Sequence, residues 1–401
     1  MNLRQAGIYL FSGVVLENVV GLLAQILIAR LLLPQDFGRF AIVMAATSLV
    51  IALISLRLNV LILRAKTITQ AEISLFVSAL FWEVIVATLI TIIWLWFSTG
   101  IAWEELIIMA GVMLNHWFRV NQTFYERLMP YRQLTIIESG SALLGHIVGV
   151  VLAYAGFGVI SLCIRELATA TIRIIGLKMV GGLVWEPPHI VSLKQWKRLW
   201  QEAKGVWLDS LLEGGFQRLT VLMAGTLVGH HGAGIFFMAQ RLAVIPHQLM
   251  NPVMARIAAN WFARLEERPE QIKARNKLTL ISVVVLSLAA GVSFFLSPFL
   301  VPLLFGNNWL EAIPALQAMS GMIVFMTLFE IYKVDSLTSS QAFRLIPARL
   351  IQYIGFMGVI FLLPDTMGLS LGLSLAWGAG FLVLAFLLHK REKQKCAALP
   401  E

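Results

Sequence analysis

Stretches of about twenty mostly apolar residues recur along this chain, and that recurrence constrains its fold more than any other feature. A helix needs about 20 such residues to cross the hydrocarbon core of a bilayer. Twelve segments of the 401-residue chain qualify, at roughly 8–32, 39–62, 73–98, 104–124, 133–155, 157–180, 203–228, 234–258, 278–304, 311–333, 343–363 and 367–389. Composition closes off the soluble alternative. Hydrophobic residues make up 59% of the chain and charged residues 13%, with a mean hydropathy of +0.81, whereas soluble domains carry about a quarter charged residues. The expectation is an all-α polytopic membrane protein of about twelve transmembrane helices.

A net charge of +9 raises nucleic acid as a partner. The basic residues sit at the ends of apolar segments and not on one polar domain, which points to membrane topology instead and to no nucleic acid. The two cysteines, Cys163 and Cys396, are too few and too far apart for a disulfide framework or a thiolate metal site. The first apolar stretch follows Arg4 and is too long for a signal-peptide core, so it reads as a retained signal anchor.

The connections set the orientation. Odd-to-even turns are short and lack Lys or Arg, as in Leu33-Pro34-Gln35-Asp36, Gly229-His230-His231-Gly232 and Gly306-Asn307-Asn308. Even-to-odd connections carry Arg64 and Lys66, Arg127 and Arg132, Lys194, Lys197 and Arg198, then Arg264, Arg268, Lys273 and Arg275, and finally Lys333 and Arg344; Lys390-Arg391 follows the last span. The positive-inside rule then places both termini and every basic loop in the cytoplasm.

The longest internal polar stretch separates six spans from six, giving an N-terminal lobe at 1–181, a cytoplasmic linker at 182–202, a C-terminal lobe at 203–391 and a tail at 392–401. Aligning Gly38 with Gly234 matches the turn between the first two spans of each half. Two such halves, related by a pseudo-two-fold axis normal to the membrane, are a common transporter design with the substrate path between them.

The stretch Ala29-Arg30-Leu31-Leu32-Leu33-Pro34-Gln35-Asp36-Phe37-Gly38-Arg39-Phe40-Ala41 resembles the first-turn motif of Wzx-type polysaccharide flippases, in the multidrug/oligosaccharidyl-lipid/polysaccharide (MOP) exporter superfamily. Phe216-Gln217-Arg218-Leu219, Gln240-Arg241-Leu242 and Leu304-Phe305-Gly306-Asn307-Asn308-Trp309 fit the same family. Leu33 stands where the family often has glycine, and His230-His231 replaces the usual Pro-acid pair. The resemblance implies a bacterial inner-membrane protein of O-antigen or lipopolysaccharide assembly, which moves a polyprenyl-diphosphate-linked oligosaccharide outward. It needs no cofactor and makes no bond, and a polysaccharide polymerase would be its partner.

Ionisable side chains deep in a bilayer cost about 2.5–3.5 kcal/mol on insertion scales, so those that persist face protein or water. In span seven, Glu202, Asp209, Glu213, Gln217 and Thr220 share one helical face, with Arg218 beside them. This stripe is expected to line a cavity; the alternative is a buried network that only fixes helix packing. Guanidinium forks match phosphate oxygens, which makes Arg218, Arg165, Arg173, Arg241 and Arg57 the candidate diphosphate ligands. Asp209, Glu213, Glu17 and Glu138 are the candidates for a coupling proton or sodium ion, and Asn18, Gln217, Gln240, His146 and Glu166 are expected to line the cavity. Arg57 also lies where it could snorkel to the cytoplasmic interface.

The adjacent His230 and His231 read as turn residues and not as a metal pair. No phosphate-binding loop or nucleophile elbow occurs, which argues against ATP-driven transport by this chain alone. Two other functions stay open: a cation-coupled multidrug antiporter of the same fold, and a membrane polymerase or glycosyltransferase. The short outward turns count against the enzyme, which would need a loop large enough to shape a site.

Overall fold

The computed structural model describes residues 3–65, 67–98, 100–265, 267–339 and 342–397. Lys66, residues 398–401, and the side chains of Arg4, Arg264, Arg391 and Cys396 lie outside the described residues. The helices run in the order α1 (Leu3–Leu31), α2 (Pro34–Ile54), α3 (Leu58–Arg64), α4 (Gln70–Ser98), α5 (Trp103–Glu126), α6 (Tyr131–Tyr154), α7 (Val159–Met179), α8 (Leu193–Arg264), α9 (Arg268–Phe305), α10 (Ala312–Ala318), α11 (Ser320–Thr338), α12 (Leu345–Leu362) and α13 (Thr366–Ala397). No β-strand occurs among the described residues.

Eight of these helices are long and apolar enough to cross a membrane by length and composition. The expected crossings beyond these have identifiable reasons for falling short. Helix α7 carries Arg165, Glu166, Arg173 and Lys178, and α5 carries Asn115, His116, Arg119, Asn121 and Gln122. These polar residues lower the apolar character of both helices. Helix α8 holds two expected spans in one element, and α1 is described only in part. The outer surface is what lipid demands: along one face of α9, Leu280, Val284, Leu288, Phe295, Phe299 and Leu303 are each at least 63% exposed.

Two compact units make up the fold, Met1–Leu222 and Met223–Glu401, divided within α8. In the first, α6 packs on α1 and α7, α5 on α7, and α2 on α4, α5 and α7. Gly145 and Gly149 of α6 meet α7 so closely that a methyl group at either would strike Thr169 or Arg165, the close approach that small residues give membrane helices. In the second, α13 packs on α11 and α12, and α9 on α10 and α11.

Three expected elements differ in detail. The span at 39–62 is broken: α2 ends at Ile54, Arg57 takes a left-handed conformation (φ 55°), and α3 restarts at Leu58. Neither proline nor glycine lies at the break. Two tertiary hydrogen bonds and a local one hold it instead: the Leu56 N–H donates to Glu83 Oε1 at 2.8 Å, Trp207 Nε1 to the Leu53 carbonyl at 3.0 Å, and, locally, the Arg57 N–H to Ser55 Oγ at 3.2 Å. The turn at Gly229-His230-His231-Gly232 is a single non-helical residue, Gly229 (φ 66°, ψ −172°), inside α8. Residues 193–202 of the expected linker are already helical, while 182–192 form a strap in which His189 bonds Ser78 and Gln70 donates to Glu186.

Candidate functional site

Asn115, Arg119, Gln122 and Glu126 follow steps of four, three and four along α5 and share one face. Around Arg119, within electrostatic reach, stand Glu17 of α1, Glu138 of α6, Arg173 of α7 and Arg57 of the break between α2 and α3. Neighbouring polar groups fix the orientation of most of these side chains. Gln122 Nε2 donates to Glu138 Oε1 at 2.8 Å. Arg173 donates through Nε to Ser141 Oγ at 3.2 Å and through Nη1 to Asn115 Oδ1 at 3.1 Å, and its guanidinium lies 5.9 Å from the Phe118 ring centre. Glu17 has a buried Oε1 that accepts no hydrogen bond, within reach of Arg173, Arg119 and Glu138. Arg119 is exposed although charges from several helices surround it.

Among the described residues, Arg57, Arg119 and Arg173 close no direct ion pair with a carboxylate; all three stand near acidic groups, and Arg173 is steered by neutral ones. Their forks are therefore presented and not consumed. Such a set of planar guanidinium groups can take a multiply charged oxyanion bidentately, with the nearby carboxylates offsetting the positive charge when no anion is there.

The expected site residues divide. Glu17, Glu138, Arg173 and Arg57 belong to this cluster, with Asn18 half-buried beside Glu17 and His146 facing Gly21 of α1. Asp209 and Glu213 lie within electrostatic reach of Arg57. Along the same face Glu202 pairs with Arg198 at 3.1 Å, Gln217 is exposed, and Thr220 is buried with its hydroxyl donating to the Gln217 carbonyl. Arg218 donates to the Gly214 carbonyl of its own helix at 2.6 Å. Arg165 stands elsewhere: it is 4% exposed, pairs with Glu166 at 2.7 Å and lies over the Phe40 ring, filling the seam between α2 and α7. Gln240 and Arg241 are half-buried in the second unit.

Arg119, Asn115 and Gln122 are legible as a polar face on α5, but only the fold shows them meeting Glu138 and Arg173. The second unit holds polar groups that no sequence pattern announces. Asp335 of α11 accepts from Arg275 Nη1 at 2.9 Å and from both terminal nitrogens of Arg268, and Arg275 and Asp335 are fully buried. Arg275, expected in a cytoplasmic loop, is instead inside α9 with its guanidinium 4.7 Å from the Tyr332 ring centre. Arg349 is 1% exposed against Phe329 and Trp377, and His247 Nδ1 meets Thr327 Oγ1 at 2.8 Å. Among the described residues no group of three or more His, Cys, Asp and Glu could hold a metal.

Apolar helices, a discontinuous second span and charged groups gathered inside the first unit define a multi-pass membrane protein of transporter architecture. The chain belongs to the family described as "Polysaccharide biosynthesis protein", which matches residues 27–314. It is 22% identical over 313 residues to the lipopolysaccharide biosynthesis protein WzxC of Escherichia coli K12, covering 74% of this chain and 62% of WzxC. It is 24% identical over 302 residues to the succinoglycan biosynthesis transport protein ExoT of Rhizobium meliloti 1021, covering 72% of this chain and 60% of ExoT. The matches thus span about six-tenths of the length of these curated relatives. Among solved structures, the fold matches lipid II flippase MurJ in an inward closed conformation, with a TM-score of 0.75 and 12% identity over 95% of this chain and 87% of that one. It also matches an inward-facing multidrug resistance MATE family transporter of the MOP superfamily, with a TM-score of 0.64 and 15% identity over 94% of this chain and 96% of that one. The MOP fold is therefore that of this chain.

Proposed function

We propose that this protein flips a polyprenyl-diphosphate-linked oligosaccharide from the cytoplasmic to the outer leaflet of the bacterial inner membrane, by ion-coupled alternating access. The observation that carries the reading is the set of open guanidinium forks, Arg57, Arg119 and Arg173, held beside Glu17 and Glu138. The diphosphate binds the forks and displaces them from the influence of the carboxylates. Asp209 and Glu213, which share Arg57, are where a coupling cation competes with an arginine. Arg218 serves the head group from α8, with Gln217 toward the sugars, and Arg241 and Gln240 are the corresponding candidates of the second unit. The family membership and the likeness to WzxC and ExoT support the substrate class. Both termini and the 182–202 connection lie in the cytoplasm in this reading, the lobes are 1–181 and 203–391, and a polymerase takes the product.

A multidrug antiporter of the same fold is the other transporter reading. Three arginines around one surface weigh against it, because they would repel the cationic compounds such exporters carry.

Complementation of a flippase-null strain tests the proposal, with membrane levels of each variant measured. Arg119→Ala at normal level should abolish surface polysaccharide and leave the lipid-linked sugar in the inner leaflet. Full surface polysaccharide from that variant would sink the assignment.

A further inference from the structure

One buried carboxylate has no place in the chamber of arginines. Glu83 lies in the middle of α4, 3% exposed, and both of its oxygens point to specific groups. Oε1 accepts the Leu56 N–H at 2.8 Å, at the break in the second span. Oε2 is buried without a hydrogen bond and lies 3.5 Å from His116 Nε2 of α5, itself a buried atom without one. A cavity of about 220 Å³ adjoins the carboxylate, lined by Ile54, Leu56, Trp82, Glu83, Val86 and Trp196. It is large enough for water to reach the acid.

We propose that Glu83 and His116 form a proton-binding site, separate from the carboxylates beside the arginines, which controls the break in the second span and so the position of Arg57. The site's chemistry suits a proton and no larger cation. Sodium needs several oxygen ligands, but here one carboxylate faces a backbone N–H and an imidazole nitrogen. The group next along the break is Arg57, which lies within electrostatic reach of Asp209 and Glu213 of α8 and of Arg119, one turn from His116 on α5. From the strap, His189 bonds Ser78, about a turn and a half before Glu83 on α4.

The switch follows from hydrogen-bond strength. An ionised carboxylate holds an N–H roughly twice as strongly as a neutral acceptor does. In the unloaded state the carboxylate grips Leu56, keeps α2 and α3 apart and holds Arg57 left-handed, a conformation a non-glycine residue keeps only under external constraint. A proton arriving from water converts the carboxylate to the neutral acid, and the grip on Leu56 weakens. Arg57 is then free to leave the left-handed region, which changes the guanidinium offered to an anion. Loss of the proton to water resets the break.

This inference deepens the flippase reading and rests on it for its transport consequence, though not for the site itself. The first measurement needs no substrate: hydrogen exchange of peptide 50–64 in the full chain in lipid nanodiscs, across a pH series, with peptide 131–154 as internal control. Wild type should exchange about tenfold more slowly than Glu83→Gln when the carboxylate is ionised, and at the same rate once it is protonated. Infrared titration should show a protonated-carboxyl band on acidification that Glu83→Gln lacks. Equal exchange at every pH, or an unchanged band, overturns the proposal. Should Glu83→Gln fail to fold, wild type alone decides: a pH dependence in peptide 50–64 no greater than that of peptide 131–154 refutes the switch. The second measurement compares flipping in proteoliposomes with and without a pH gradient. The ratio should exceed one in wild type and fall to one in Glu83→Gln; a ratio kept by the variant refutes the coupling. No flipping by wild type at all refutes the transport reading while the exchange result still judges the site.

Discussion

The two units use the same residue types to opposite ends. In the first, Arg119 and Arg173 stand near Glu17 and Glu138 without closing on them, and Arg119 is open to solvent. In the second, Arg268 and Arg275 close on Asp335 through short direct bonds, and two of the three groups are fully buried. A carboxylate that already accepts three arginine bonds has little left to offer a ligand, and desolvated partners cannot separate cheaply. Guanidinium groups oriented by amides and hydroxyls keep their charge available. Counting charged residues in membrane helices does not separate closed pairs from open groups; the fold does.

The largest expected effect tests the closed cluster. Asp335→Ala leaves Arg275 buried without its counter-ion, which should cost about 3–5 kcal/mol. It should appear as a sharp fall in thermal unfolding temperature in detergent and in membrane level. Arg173→Ala should leave both nearly unchanged and cut polysaccharide export at least tenfold, with Arg173→Lys between, since lysine keeps the charge and loses the fork. A stable Asp335→Ala, or an Arg173→Ala that unfolds, would erase the distinction between the clusters.

Arg165 offers an intermediate case. By type it is a candidate ligand, yet it is buried and paired, as in the closed cluster. Replacing both partners, Arg165→Met with Glu166→Leu, should change stability by less than about 2 kcal/mol, because well-packed apolar groups often match a buried pair. Export should persist. Its loss with normal membrane level would move Arg165 into the binding set. The smallest effect belongs to Arg198, whose side chain is 57% exposed and pairs with Glu72 and Glu202. Arg198→Ala should shift stability by under about 1 kcal/mol, and a larger drop would show that exposed pairs also hold this fold together.

Much of the architecture was legible because lipid enforces it. Apolar length and basic ends mark the spans regardless of how they pack. The break at Ser55-Leu56-Arg57 was not, since its cause is a carboxylate 27 residues downstream and an indole 154 residues away from Leu53. The candidate cluster was legible in part for the same reason. Glu17, Glu138, Arg173 and Arg57 stand out as charges within apolar runs. Arg119 lies in a helix already rich in polar residues, where one more attracts no notice. Asp335 and Arg275 sit near the ends of expected spans, where charge seems solvated until the fold buries it. Burial, unlike length, is a property of the partners.

The single glycine that divides α8 also limits what this turn can tolerate. At Gly229 the backbone takes φ 66° and ψ −172°, a region essentially reserved for glycine, and helix continues on either side. No slack chain separates the two apolar segments. With no spare residue at the turn, a neighbouring residue cannot take up the bend in place of position 229. Any side chain there would strain the turn itself, whatever the finished protein carries.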